Sequence, residues 1–372
     1  MLIDLLKPYY DTEILGLTVF HVVQYITFRF VIAFITSLVI TLILGPIFIK
    51  FSCRLKYGED VSGYLCDVGH QSKAGTPSMG GLIFLSGTMI SSLLWSDLQN
   101  VYVLLLYFAV IWLGSLGFLD DYLKNVKKLK AGLIARYKLI GQLLLGLAIA
   151  VYLYKYHAGS AGLTSLNIPF FKQLIINLKW VFIPFVIFML MATSNGTNLT
   201  DGLDGLATGS SAIALLGLAV MSYLKGNFVL ADYLLLDYIP EVAELTVFIS
   251  ALLGGLMGFL WFNCKPAQIF MGDTGSLTLG GVMAIIAVML REEIFLAIIG
   301  GVFVVEALSS LLQINYYKYT RRKTGTPRRL FLMAPLHHHF QKKGYAEEKI
   351  VVRFWIISIL LLAVALSTIK LR

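Results

Sequence analysis

Apolar residues in this chain neither alternate nor recur at a helical period; they continue for 13 to 24 positions at a time between short polar stretches. Ten such runs can be traced: Phe28 to Ile49, Met79 to Trp95, Val101 to Leu119, Leu139 to Tyr154, Trp180 to Ala192, Leu203 to Tyr223, Leu245 to Phe262, Ser276 to Leu290, Ile294 to Tyr317, and Ile350 to Ile369. A helix of about 20 residues crosses a hydrocarbon core of roughly 30 Å while satisfying its own backbone hydrogen bonds. The fifth and eighth runs are short, and are expected to span only where the bundle or a polar cavity shelters their ends. The pattern therefore predicts an all-α, polytopic integral membrane protein with about ten transmembrane helices. No repeat at a fixed period and no low-complexity tract interrupts it.

Composition agrees with the pattern: 58% of residues are hydrophobic, 14% charged, and the mean hydropathy is +0.80. The first long apolar run starts only near Phe28, so no cleaved signal peptide is expected. Cys53, Cys66 and Cys264 are odd in number and lack C-x-x-C spacing, which predicts free thiols rather than a disulfide framework or a zinc cage.

Lysine and arginine orient the runs. With the first helix running inward, the loops at 50–76, 120–136, 263–274 and 318–349 hold 19 of the 30 basic residues and are expected to be cytoplasmic. Both termini then lie outside. The outer loop 155–179 carries short β-prone runs around Gly159, Gly162 and Pro169, which predicts a small periplasmic hairpin. On this map the polar motifs share the inner face: SKAGTPSMGG (72–81), FLDDYLK (118–124), SNGTNLTDGLDG (194–205), FNCKPAQIFMGDTGS (262–276) and MAPLHHHF (333–340). Motif-rich loops converging on one surface read as one active site on a helical scaffold.

Each motif also has a plainer reading. Asp201 or Asp204, and Asp273, are suited to capping the helices that follow them. Lys73, Lys124, Lys127, Lys128, Lys130 and Arg136 are what an inner loop carries in any case. Asp120 and Asp121, however, stand at the C-terminal end of an inward helix, where the macrodipole disfavours anions by about 0.3–1 kcal/mol each and a bound cation would reverse the cost. Carboxylates suited to a hard cation, lysines suited to phosphate and glycine-rich turns together point to phosphoryl-transfer chemistry. Three consecutive histidines cannot easily converge on one ion, so they are either a solvated loop or donors to a substrate phosphate. Glu306, Ser309, Ser310 and Gln313 form a polar stripe at helical spacing inside the ninth run, and an acid there serves either packing or function. A secondary transporter would place its coupling charges near the midplane and often show inverted repeats; this chain clusters its acids at inner helix ends and shows no such repeat.

In their order and spacing, SKAGTPSMGG, GFLDDYLK, NLTDGLDGLA, PAQIFMGDTGSL, MAPLHHHF and VVRFWIIS resemble the phospho-N-acetylmuramoyl-pentapeptide transferase family over nearly the whole chain. Ser78, where threonine is frequent, and Gln341, where glutamate often follows, are small departures. The resemblance implies a single transferase domain over 1–372 with its active site at the cytoplasmic face of the bacterial inner membrane. The activity it implies is transfer of phospho-N-acetylmuramoyl-pentapeptide from its UDP carrier to undecaprenyl phosphate, with release of UMP. A related transferase using another UDP-sugar is the alternative. Membrane lipids surround such a protein, a homodimer is compatible with it, and no nucleic-acid partner is expected.

By the same resemblance, Asp273 with Asp121 holds Mg²⁺, and Asp120 orients, deprotonates or attacks. Lys73, Lys124 and Lys128 neutralise diphosphate charge, and His337, His338 and His339 donate hydrogen bonds. Asn198, Asp201, Asn263 and Gln313 surround the uridine and its phosphates, with Phe270 stacked on the base. The net charge of +9 favours anionic substrates. The shared inner face is testable: in sealed right-side-out vesicles, single cysteines placed at Ser72, Asn125 and Lys342 should resist a membrane-impermeant thiol reagent while one at Ser165 reacts. Labelling at Asn125 with protection at Ser165 would overturn the orientation.

Overall fold

The computed structural model describes residues 19–54, 76–129, 132–157, 164–167 and 175–371. All ten apolar runs are helical. In chain order they are α1 (Ile26–Arg54), α2 (Gly81–Trp95), α3 (Val101–Asn125), α4 (Ala135–His157), α5 (Phe182–Thr200), α6 (Leu206–Gly226), the short α7 (Phe228–Leu234), α8 (Leu245–Asn263), α9 (Gly272–Leu290), α10 (Glu293–Ile299), α11 (Gly301–Thr324), the short α12 (Leu336–Lys342) and α13 (Glu347–Ser367). Eight of these helices are long and apolar enough to cross a membrane, and α10 with α11 makes a ninth candidate that is bent by 79° at its break. The remaining run, the second, is α2, only 15 residues long. The protein is an all-α, multi-pass membrane protein.

The fifth and eighth runs reach full length because their polar motifs are helical. α5 extends through SNGTNLT to Thr200, and α9 begins at Gly272, so each has 19 residues. Polarity shortened the apolar run without ending the helix. The expected hairpin is present: Ser165–Asn167 pairs antiparallel with Ile175–Asn177, Leu166 opposite Ile176. Cys53 and Cys264 are free and exposed, whereas Cys66 lies outside the described residues.

α9 is the hub. Of its apolar window, 94% is buried, against 22% for the peripheral α1, and it packs along α3 and α5 and touches α2, α6 and α10. Close approach needs small residues at the crossings. At Gly117 of α3, an added Cβ would stand 2.4 Å from the Asp273 carbonyl oxygen, so nothing larger than glycine fits without separating α3 from α9.

Polar contacts define two ends of the bundle. At one end, Asp120, Lys138, Asn198, Asn263 and Asp273 gather. At the other, Arg29 forms a two-pronged pair with Glu244 at 2.6 and 2.7 Å, and Lys225 meets Glu292 at 2.7 Å. Successive long helices alternate between these ends, and the segments Val19–Gln24 and Ile369–Leu371 both sit opposite the acidic motifs. The Lys225 ammonium also donates to the Leu290 carbonyl at 2.7 Å, and both members of the Lys225–Glu292 pair are about 1% exposed. Removing one partner of such a pair costs more than removing both. Lys225→Met should destabilise the protein by about 3–5 kcal/mol in detergent unfolding, and Lys225→Met combined with Glu292→Leu should recover much of that loss.

Candidate active site

The site forms where the C-terminal ends of α3 and α5 meet the N-terminal ends of α4 and α9. Asp120 and Asp121, adjacent in the last turns of α3, point about 100° apart around the helix and take different partners. Asp121 faces α9: Oδ1 accepts the Asp273 backbone N–H at 3.0 Å, and Oδ2 accepts the Thr274 N–H at 2.9 Å and its hydroxyl at 2.6 Å. These amides belong to the first turn of a helix, which has no intrahelical acceptors for them and favours a negative charge. Gly272, with φ +74°, lets the chain approach so closely: an added Cβ would stand 2.6 Å from Asp121 Oδ2.

Asp120 faces the other way and is fully buried. Its Oδ1 accepts the Leu133 N–H at 2.6 Å, which draws the segment before α4 over it. Its Oδ2 lies 2.5 Å from the Lys124 ammonium and 2.7 Å from that of Lys138. Both lysines also reach Asp273 Oδ2, Lys124 at 3.4 Å and Lys138 in closer contact. Asp273 Oδ1 accepts from the Asn198 amide at 2.8 Å, and the same nitrogen donates to Ser276 at 2.9 Å. The carboxylate oxygens of Asp120, Asp121 and Asp273 come within 4.8 Å of one another. Three carboxylates and two ammonium groups thus share one buried corner, with a formal excess of one negative charge.

The remaining candidates are distributed around this corner. Asp201 ends α5, its N–H donating to the Asn198 carbonyl at 3.2 Å. Asn263 acts as a brace: its carbonyl accepts from Gly205 N–H and the Thr208 hydroxyl, and its amide donates to the Ile269 carbonyl. Phe270 is half-buried, and its backbone ties the 262–271 segment to Pro77 and Gly80. Gln313 holds the start of the histidine segment, accepting from Leu330 and Phe331 N–H and donating to the Phe331 carbonyl. Lys128 stands exposed in the turn after α3 with φ +54°, and Lys73 lies outside the described residues.

The histidines occupy α12. His337 is fully buried, its backbone N–H and Nδ1 both on the carboxyl of Glu306. The His338 Nδ1 lies 2.7 Å from Gln341 Oε1, and its ring packs on His337 with centroids 4.1 Å apart. His339 Nδ1 accepts the Leu332 N–H at 3.1 Å. Burial, reinforced by the Lys343 charge, holds His339 below the ordinary imidazole range, in keeping with a lone pair at Nδ1 and a hydrogen at Nε2.

The residue that sequence reasoning missed is Lys138. It lies just before the apolar run that starts at Leu139, where an inner-face lysine is expected in any case, and only the packing shows that it bridges Asp120 and Asp273. Thr274 was hidden too, because its hydroxyl matters only through Asp121.

The glycosyl transferase family 4 model matches residues 103–291, a stretch that contains all three aspartates, both bridging lysines and Asn198. Fold and site together define a polytopic membrane protein of that class. A shorter signature, described as phospho-N-acetylmuramoyl-pentapeptide-transferase signature 1, matches residues 73–85. Proteins bearing the name phospho-N-acetylmuramoyl-pentapeptide-transferase are similar over full length. One from Pelodictyon phaeoclathratiforme is 48% identical over 363 residues, covering 98% of both chains. One from Chlorobium phaeobacteroides is 47% identical over 372 residues and covers all of both. A third, from Flavobacterium psychrophilum, is 44% identical across 100% of this chain and 99% of its own. The chain belongs to the phospho-N-acetylmuramoyl-pentapeptide-transferase family.

The bridging geometry makes a direct prediction for Lys138. Lys138→Met should lower turnover about ten- to a hundredfold, the scale of one lost charge-assisted hydrogen bond, with Lys138→Arg restoring part of it. Turnover unchanged in Lys138→Met would remove this lysine from the site.

Proposed function

We propose that this protein transfers phospho-N-acetylmuramoyl-pentapeptide from its UDP carrier to undecaprenyl phosphate at the cytoplasmic face of the bacterial inner membrane, releasing UMP. The whole chain acts as one transferase domain. The observation that carries the reading is the corner where Asp120, Asp121 and Asp273 share Lys124 and Lys138. The cluster of Asp120, Asp121 and Asp273 stands at one end of the bundle rather than at its midplane, which supports an enzyme over a transporter.

Mg²⁺ fits this corner. The three ligand groups are carboxylates without thiolate or imidazole, which is the donor set of a hard cation. Asp273, with Asp121 beside it, would hold the ion. When bound, it supplies charge neutralisation at phosphoryl oxygens.

The chain's own residues do the rest. Lys124, with Lys128 four residues on and Lys73 of the 50–76 loop, balances diphosphate charge. Asn198 orients the Asp273 carboxylate by donating to Oδ1. His339, with hydrogen at Nε2, donates to a phosphate oxygen, and His338, its neighbour in α12, supplies a second polar contact. Asp201, Asn263, Phe270 and Gln313 shape the uridine end. The acceptor's second phosphate pKa is about 6, so it is already mostly ionised near neutrality and needs little base catalysis. One of its oxygens bonds to the sugar-bearing phosphorus as the bond from that phosphorus to the UMP oxygen breaks, and UMP leaves with the electron pair. Asp120 Oδ2, enclosed by two ammonium groups, is poorly disposed to attack and well disposed to orient.

The test is direct: purified protein given UDP-N-acetylmuramoyl-pentapeptide, undecaprenyl phosphate and Mg²⁺ should release UMP, and UDP-N-acetylglucosamine should not replace the donor. Without the polyprenyl acceptor no stoichiometric burst of UMP is expected; a burst with sugar phosphate linked to Asp120 would refute direct attack. Asp273→Asn should abolish Mn²⁺ binding seen by paramagnetic resonance, whereas His338→Gln should keep it and lose about ten- to a hundredfold in turnover or affinity. The reverse pattern would make the histidines the metal site.

A further inference from the structure

The first histidine of the triplet is the most enclosed. His337 and Glu306 are both 0% exposed, and Glu306 lies six residues into α11, just past its sharp break from α10. One oxygen of that carboxyl accepts the His337 backbone N–H at 3.1 Å, and the other lies 3.1 Å from Nδ1. A carboxylate offers only lone pairs, so Nδ1 carries the hydrogen, and in the neutral imidazole Nε2 is then left with a lone pair, the wrong polarity for a phosphate oxygen. Nε2 has no partner among the described residues. It is pressed against the turn after α5 instead: a Cβ added at Gly202 would stand 2.3 Å from it. Four residues earlier in that turn's helix, Asn198 donates to Asp273.

We propose that Glu306 is a positioning residue for the transfer reaction, acting through the backbone amide and Nδ1 of His337, and that Nε2 of His337 is a peg seated on Gly202. The substrate then meets His338 and His339. The brace runs from α11 through His337 to the backbone of α12, and so fixes where His338 and His339 stand, while Nε2 only fills the space over Gly202. This inference rests on the transferase reading and deepens it. It also gives the intramembrane acid a task, since a carboxyl buried at that depth needs a specific partner.

Asparagine and glutamine separate the two nitrogens of histidine, because the asparagine amide overlays Nδ1 and the glutamine amide reaches Nε2. In the UMP-release assay, His337→Asn should keep turnover within about threefold, while His337→Gln and Glu306→Ala should each lose about tenfold or more in kcat, with little change in donor KM. Gly202→Ala should also lose about tenfold, and adding His337→Asn should restore most of it, because the shorter side chain vacates the space. Active His337→Gln beside inactive His337→Asn would overturn the proposal and put Nε2 on the substrate. So would a Gly202→Ala defect that His337→Asn leaves unrelieved, or a His337→Asn protein that unfolds in detergent well below His337→Gln. An inactive wild-type protein would instead defeat the transferase reading itself.

Discussion

The site depends on a carboxylate of one helix closing the start of another. Asp121 takes the first amides of α9 and the Thr274 hydroxyl on its two oxygens, so the end of α3 and the beginning of α9 form one rigid unit. Helix N-termini need such acceptors, and inside a membrane water is not there to provide them. Because Asp273 is the second residue of α9, the hydrogen bonds that terminate the helix also fix where its carboxylate stands. Asp121 thus does the capping that the sequence suggested for Asp273, whose own carboxylate turns to Asn198, Lys124 and Lys138 instead.

Around that unit, charge is used in pairs. Lys124 and Lys138 keep Asp120 and Asp273 at close range without mutual repulsion, and the lysines come from opposite sides of the 126–134 connection. A cation or a phosphate entering the corner therefore exchanges partners with groups already in place, which is the sense in which such a site is preorganised. The opposite end of the bundle carries buried pairs of the same kind, in Arg29–Glu244 and Lys225–Glu292.

The third support is the histidine segment. α11 turns 79° away from α10, and the chain after it returns so that Gln313 pins residues 330–331 and Glu306 pins His337. A short helix of seven residues gains little from its own hydrogen bonds; here tertiary contacts hold it. It arrives against Gly202, close along the chain to Asn198, and so the last motif in the sequence is mechanically joined to the middle one.

By itself the sequence determined the membrane class, all ten helical runs, their alternation and the gathering of polar motifs at one end, since each follows from local apolar length and from which residues flank it. It also singled out Asp120, Asp121, Asp273 and Asn198, and it foresaw the 165–177 hairpin. Tertiary structure alone decided the rest. That α5 and α9 continue through polar residues follows from shelter by neighbouring helices, to which hydropathy is blind. That Lys138 is a bridge, that Thr274 completes Asp121, and that Glu306 holds His337 depend on pairs 135, 153 and 31 positions apart. Hydropathy and motif spacing report how one residue meets lipid or its sequence neighbours; which buried charge meets which is set by helix packing, where a single glycine such as Gly117 or Gly272 fixes the distance.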